Sequence, residues 1–452
     1  MCTERPIPEV RELGENKVGS AKKRSLGGVE IQKHSRMLWL VLAAALVVRV
    51  VAAVVWQQQI DPEPFRFGDS DSYWVLAQTI VNGEPYQYGG PTAQVFRMPG
   101  YPLLLAGWMT LLGGEPSVLA VRMLSVFLGT LTVGLVYLLG MQIFNRTTGL
   151  VAALITAFYP GAIVSSVLIL SEPPFCLLML LQLILLVKCS RAEMSGALAF
   201  AFLAGIAGGC ATLVRPSWLL FNPLVAAFLL VVAGTASRKL LVSLTLMVAM
   251  CIPLAPWWVR NARLIGHFVP TTLQVGASLY DGLNPDADGG SEMSFVPKFR
   301  ETVEAEEVGP EDDVLEYRLD QRMKQASIDW AKQHPGRVLQ LAGIKFLRLW
   351  NVWPNAAEFG GWLPRLLVTV SYAPLLILGL IGVWRFRHLG FAWMLCWLPA
   401  VYFTALHVVF VSSLRYREPA MLTWIVLAAA VIVSWRGDRL PSPANSDEQQ
   451  TV

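Results

Sequence analysis

Ten mostly apolar runs limit what this chain can fold into, at about 37–56, 118–142, 150–169, 173–188, 195–214, 217–234, 240–258, 363–384, 389–410 and 419–435. Each approaches the roughly 20 residues a helix needs to cross about 30 Å of hydrocarbon. No water reaches the peptide groups there, so a spanning segment must close its hydrogen bonds within a helix or a barrel. Runs this long and continuous point to helices. Of the 452 residues 54% are hydrophobic and only 15% charged, against about 25% charged in a soluble domain. The 16 Trp suit a chain with two membrane interfaces. The expected fold class is an all-α polytopic membrane protein with about ten transmembrane helices. A net charge of +4 gives no ground for a nucleic-acid partner.

Orientation follows from Lys and Arg. Residues 1–36 are polar and mixed in charge and read as a disordered cytoplasmic tail, while 37–56 is long enough to be a retained anchor and not a cleaved signal. With the N-terminus inside, the inner turns hold Arg146, Lys188 and Arg191, Arg238 and Lys239, Arg385 and Arg387, and Arg436 and Arg439, as the positive-inside rule requires. The organisation expected is an N-terminal bundle of seven spans over 37–258, an outer segment at 259–362, three further spans over 363–435 and a cytoplasmic tail at 436–452. The bundle includes an outer loop, 57–117, in which 100–113 reads as a surface helix; 337–353 reads the same way. Asp281 to Asp320 is strongly acidic and reads as solvated surface, followed by a helix-like stretch from Val314 to Gln333. Its spacing is unlike a calcium loop, and no metal is inferred.

The six Cys lack any C-x-x-C spacing and read as small packing residues. His267, His334 and His407 are too dispersed for a triad or metal site. Charges beside hydrocarbon are costly and are therefore functional candidates. The loop after the first span carries Asp69, Asp71 and Tyr73 ahead of an apolar pattern that ends at Asn82-Gly83, which predicts an amphipathic surface helix. Asp69 or Asp71 can cap that helix. Capping accounts for one carboxylate, and a carboxylate held beside the membrane is also placed to act as a general base. Arg97 precedes Pro99-Gly100-Tyr101-Pro102, Glu172 stands in an outward turn, and Arg215, Arg260, Arg263, Arg415 and Arg417 gather at the outer rim around Tyr416. The guanidinium fork suits phosphate oxygens, and each arginine could equally hold a lipid headgroup. Arg49 and Arg122, within or beside spans, read as snorkelling to the interface.

The motifs Gly68-Asp69-x-Asp71-x-Tyr73, Arg97-x-Pro99-Gly100-Tyr101-Pro102, Ser171-Glu172-Pro173, Leu213-x-Arg215-Pro216, Pro256-Trp257-x-x-Arg260-Asn261 and Arg415-Tyr416-Arg417-x-Pro419 together resemble the GT-C membrane glycosyltransferases. The matching branch includes the protein O-mannosyltransferases and the aminoarabinose and galacturonic-acid transferases of lipid A. The resemblance covers about 40–430 and implies a helical bundle with surface helices in the first outer loop. It implies transfer of a sugar from a polyprenyl-phosphate carrier to a glycan, lipid or protein acceptor on the outer face, with no cofactor beyond that donor. Asp69 best matches the family's catalytic carboxylate. Many relatives have two adjacent acids there, whereas Ser70 separates Asp69 from Asp71, so the choice stays open. Glu172 joins them as a catalytic candidate, with Tyr73, Arg97, Arg215, Arg260, Arg415, Tyr416 and Arg417 for substrate. The location implied is a bacterial inner membrane with a periplasmic outer side. A transporter or flippase for a lipid-linked glycan would instead place charges near the midplane and use broken helices. A binding scaffold would need no such set of charges.

Overall fold

The computed structural model describes residues 12–65, 68–90, 93–231, 235–306, 314–353, 361–437 and 440, with only the backbone for 12–31 and 364. All regular structure among these residues is helical. Eight helices are long and apolar enough to cross a membrane: α1 (Glu12–Ile60, its candidate span within Gln32–Ile60), α4 (Val118–Ile143), α7 (Glu172–Arg191), α8 (Met194–Val214), α10 (Ala236–Ile265), α15 (Trp362–Arg385), α16 (Gly390–His407) and α17 (Leu414–Trp435). A ninth crossing is broken into α5 (Arg146–Phe158) and α6 (Pro160–Val167), bent by 60°. Among the described residues the remaining apolar run, 217–234, forms α9 (Phe221–Val231) after a 3₁₀ turn; at 1.5 Å per residue α9 covers about half a bilayer. The protein is a multi-pass membrane protein.

One tail differs from expectation. Residues 12–36, read as disordered, continue the helix of α1. No proline lies between Pro8 and Pro62 to stop it. Residues 1–11 and most of 438–452 lie outside the described residues.

Outside the bundle lie α2 (Gly68–Val81) and α3 (Gly100–Leu111) in the first loop. The long segment carries α11 (Val275–Gly282), α12 (Val296–Glu304), α13 (Leu315–Gln333) and α14 (Pro335–Leu349). The helix α2 ends as its sequence predicts, with Gly83 left-handed at φ 69°.

Helix α17 is the centre of the bundle, packed on α15, α16 and α5 and 78% buried over its apolar window, against 22% for α1. Close approach comes from glycine: a side chain at Gly205 or Gly209 of α8 would collide with backbone carbonyls of α10. At Gly100 a Cβ would lie 2.7 Å from the Leu213 carbonyl, so the start of α3 sits directly on the end of α8. That contact brings the chain around Arg97 beside Arg215.

The ends of the short helices α5 and α6 explain two arginines that the sequence misplaced. Arg49 and Arg122 are buried and do not snorkel. Arg49 donates to Thr156 O at 3.2 Å, Ala157 O at 3.1 Å, Ala45 O at 3.2 Å and Ser166 Oγ at 3.2 Å. Arg122 donates to Val167 O and to Gln57 Oε1. Carbonyls left open at helix ends need donors in hydrocarbon: Arg49 supplies Thr156 and Ala157 at the end of α5, and Arg122 supplies Val167 at the end of α6.

The acidic stretch also departs from its reading at both ends. Asp281 and Asp320 are buried: Asp281 accepts from Ser291 Oγ and Glu292 N, and Asp320 accepts from Gly276 N at 2.6 Å and from Lys324. Their charge is held by local donors, not by solvent. Among the described residues the cysteines are free, Cys176, Cys189 and Cys396 being buried, and no group of His, Cys, Asp or Glu forms a metal cage.

Candidate active site

At the end of the bundle opposite Arg146, Arg191 and Arg385, five charges from separate parts of the chain form one chain of ion pairs. Asp69 lies in the first turn of α2. Glu172 opens α7, where a carboxylate also meets the positive end of the helix dipole. Arg215 stands just past α8, Arg415 in the first turn of α17, and Arg97 in the segment before α3. Asp69 Oδ1 pairs with Arg97 Nη2 at 2.5 Å and Oδ2 with Arg415 Nη1 at 2.9 Å. Arg415 Nε donates to Glu172 Oε1, and Arg215 Nη1 lies 2.8 Å from the same oxygen. Glu172 is nearly inaccessible, while the side chains of Asp69 and Arg415 remain 33% and 27% exposed. The accessible face of the cluster is therefore the Asp69–Arg415 pair.

Three guanidiniums and two carboxylates leave the cluster with one net positive charge. Burial pushes the Asp69 carboxyl up, but Arg97 and Arg415 more than reverse this and hold it well below the usual carboxylate range. Asp69 is thus ionised but a weak proton acceptor while both arginines hold it. Asp71, two residues on, pairs with no arginine among the described residues; its Oδ2 accepts from Tyr88 at 3.0 Å. Glu172 Oε2 is buried and has no partner among the described residues.

Aromatic rings frame the charges. Tyr73 packs edge-on to Tyr101 at 4.9 Å and lies under Arg97 at 5.2 Å. Tyr416 stacks on His407 at 4.3 Å, with Arg215 5.6 Å and Arg415 6.0 Å from its ring. Cations over ring faces are favoured electrostatically, so both tyrosines help fix the guanidiniums.

Two arginines from the candidate set stand elsewhere. Arg260 donates to Gln94 O and Tyr86 O and packs on Tyr86 and Trp257. Arg417 is buried, donates to Leu349 O and Asn351 O, and lies 3.6 Å over the Tyr372 ring. Two residues along a helix is about 200° of rotation, so Arg415 and Arg417 face opposite sides of α17. Other contributors carried no signal in the sequence: Ser72 Oγ accepts from Arg97 Nε at 3.2 Å, and Gln274 Oε1 accepts from Arg97 Nη1 at 3.1 Å.

Residues 109–272 match the family model described as dolichyl-phosphate-mannose-protein mannosyltransferase. No curated protein matches the sequence. Among solved structures, the archaeal oligosaccharyltransferase AglB from Archaeoglobus fulgidus, in complex with an inhibitory peptide and a dolichol-phosphate, is similar at a TM-score of 0.56 and 15% identity, over 90% of this chain and 51% of that one. The apo oligosaccharyltransferase of the same organism gives 0.55 and 14%, over 88% and 51%. ArnT from Cupriavidus metallidurans bound to undecaprenyl phosphate gives 0.42 and 14%, over 88% and 78%. The chain spans about half the length of the archaeal proteins. Its fold is that of the matched half of the archaeal oligosaccharyltransferase.

Proposed function

With that fold as premise, we propose that this chain is a glycosyltransferase that moves a sugar from a polyprenyl-phosphate carrier to a glycan, lipid or protein acceptor at the outer membrane surface. The observation that carries the reading is the Arg97–Asp69–Arg415–Glu172–Arg215 cluster, with net charge +1 and an open edge at Asp69 and Arg415. A lipid-linked sugar phosphate is a diester with one negative charge, which the cluster would neutralise.

In the transfer, the acceptor oxygen forms a bond to the anomeric carbon as the carbon–oxygen bond to phosphate breaks. The lipid phosphate leaves with the electron pair, and the acceptor proton passes to a carboxylate. Attack opposite the phosphate inverts the anomeric centre. Arg415 and Arg215 are placed to stabilise charge on the leaving phosphate. Donor phosphate bound to Arg415 would compete with Asp69 for that guanidinium and make Asp69 a better base. Asp71 is the alternative base, held by Tyr88 and by no arginine among the described residues. Tyr73 and Tyr416 offer ring faces beside the reacting groups.

In this reading both termini are cytoplasmic, the segment 259–362 is periplasmic, and the membrane is a bacterial inner membrane. The opposed positions of the basic turns and the cluster support that orientation. The broken span α5–α6 and buried Arg49 are features that a transporter would also carry. Each Arg49 nitrogen already donates within the protein, which favours the enzyme. Incubating the purified protein with radiolabelled polyprenyl-phosphate sugar and candidate acceptors tests it directly.

A further inference from the structure

The segment before α3 that delivers Arg97 to Asp69 has no helix of its own, and residues distant in sequence hold both of its edges. Glu316, on the outer helix α13, accepts from Gln94 N at 2.8 Å and from Val95 N at 3.1 Å. On the opposite edge Arg260 Nη1 donates to Gln94 O at 3.1 Å, and Leu273 N to Val95 O at 3.0 Å. The next residue, Gln274, takes the Arg97 side chain itself. Glu316 is buried, and it is the acidic side chain that meets both amide donors. A carboxylate accepting from two successive amides fixes the direction of the chain between them, two residues before Arg97.

We propose that Glu316 is a positioning residue for the transfer site: it clamps the Gln94–Val95 backbone so that Arg97 meets Asp69, and so couples the outer segment to the cluster. This rests on the reading of the cluster as the place of transfer. It also gives the outer segment a task, because without α13 the Arg97 segment would lose the acceptor for two amides.

The test is Glu316→Gln in the full chain, in detergent or nanodiscs. Glutamine keeps the shape but turns an amide donor toward one of the two backbone donors. Burial already disfavours charge at this position, so the variant is expected to fold; a monodisperse elution profile checks that. Hydrogen exchange of the peptide covering 93–98, followed about one pH unit above the value of about 7 at which Glu316 ionises, reads the clamp without any transfer assay. It should quicken at least tenfold in the variant while exchange within α4 and α17 stays unchanged. Transfer should fall about tenfold in kcat with little change in donor KM. In an Arg97→Lys background the same substitution should have less than a twofold effect, because the two residues act through one arrangement. Unchanged exchange at 93–98 overturns the clamp. Quickened exchange with normal transfer, or an equal tenfold loss in both backgrounds, overturns the positioning role. Absence of transfer in the wild-type protein counts against the transfer reading and leaves the clamp to be decided by exchange.

Discussion

Arg415 reaches Asp69 across 346 residues of sequence, Nη1 to Oδ2 at 2.9 Å, and so ties the first turn of the last membrane helix to the first outer loop. Around this pair the account makes its predictions.

Asp69→Asn keeps the side-chain volume and removes the carboxylate. Turnover should drop by about a hundredfold or more if Asp69 takes the acceptor proton. Near-normal turnover in Asp69→Asn with loss in Asp71→Asn moves the base to Asp71, whose carboxylate accepts from Tyr88. If neither substitution matters, the catalytic reading of the loop fails.

Arg415 and Arg417 should separate cleanly. Arg415→Ala removes a charge-assisted contact of about 1.5–3 kcal/mol to the donor phosphate, so the donor concentration needed for half-maximal rate should rise roughly tenfold to a hundredfold. Lysine should restore only part of this, because it keeps the charge and loses the fork. Arg417→Ala should instead lower the melting temperature, since it leaves the Leu349 and Asn351 carbonyls without their donor. Unchanged donor dependence in both Arg415 variants rules out the phosphate role.

The fold was legible in the chain's apolar runs because hydrocarbon leaves the backbone no alternative to helices, and each of the ten runs carries helix among the described residues. Asp69, Glu172, Arg215 and Arg415 stood out as charges beside a membrane, and the fold brings them together. What stayed hidden depends on direction and distance. Nothing local says that Arg415 and Arg417 diverge around α17. Nothing near Glu316 says that its partners lie 221 and 222 residues away. Arg49 and Arg122 were misread because the carbonyls that need them stand open only where α5 ends before Pro160 and where α6 ends at Val167.

Arg49→Met should show what that break requires. Two carbonyls at the break, of Thr156 and Ala157, would lose their side-chain donor in an apolar setting. An unmet buried acceptor costs about 1–3 kcal/mol, so the variant should be recovered in much lower yield and melt earlier. Wild-type yield and melting would contradict the structural role assigned here.

Glu316 also makes stability depend on pH. Burial, opposed by the Val95 and Gln94 amides and by Arg260 and helped by Asp320, pushes its carboxyl up to about 7 from the ordinary 4.5. The folded state therefore binds this proton more tightly than the unfolded one. The stabilisation is full below about pH 4.5 and is lost as pH rises through about 7. Glu316→Gln cannot lose a proton, so between about pH 5 and 8 the wild type should lose on the order of 2–3 kcal/mol relative to the variant. Parallel melting curves for the two across that range would show that the site is not so shifted.

Orientation is checked by labelling single cysteines at Asp288→Cys and Ser446→Cys in a cysteine-free background. An impermeant maleimide on intact cells should reach the first and not the second; labelling at Ser446→Cys from outside reverses the topology.

The central claim is tested most directly by following radiolabel from a polyprenyl-phosphate sugar in the presence of purified wild-type protein and its Asp69→Asn/Asp71→Asn double variant. The account predicts wild-type-dependent loss of label from the lipid, gain in an acceptor, inverted anomeric configuration in the product, and no transfer by the double variant. Label that stays on the carrier with every acceptor class, or that moves equally well with the double variant, would contradict it.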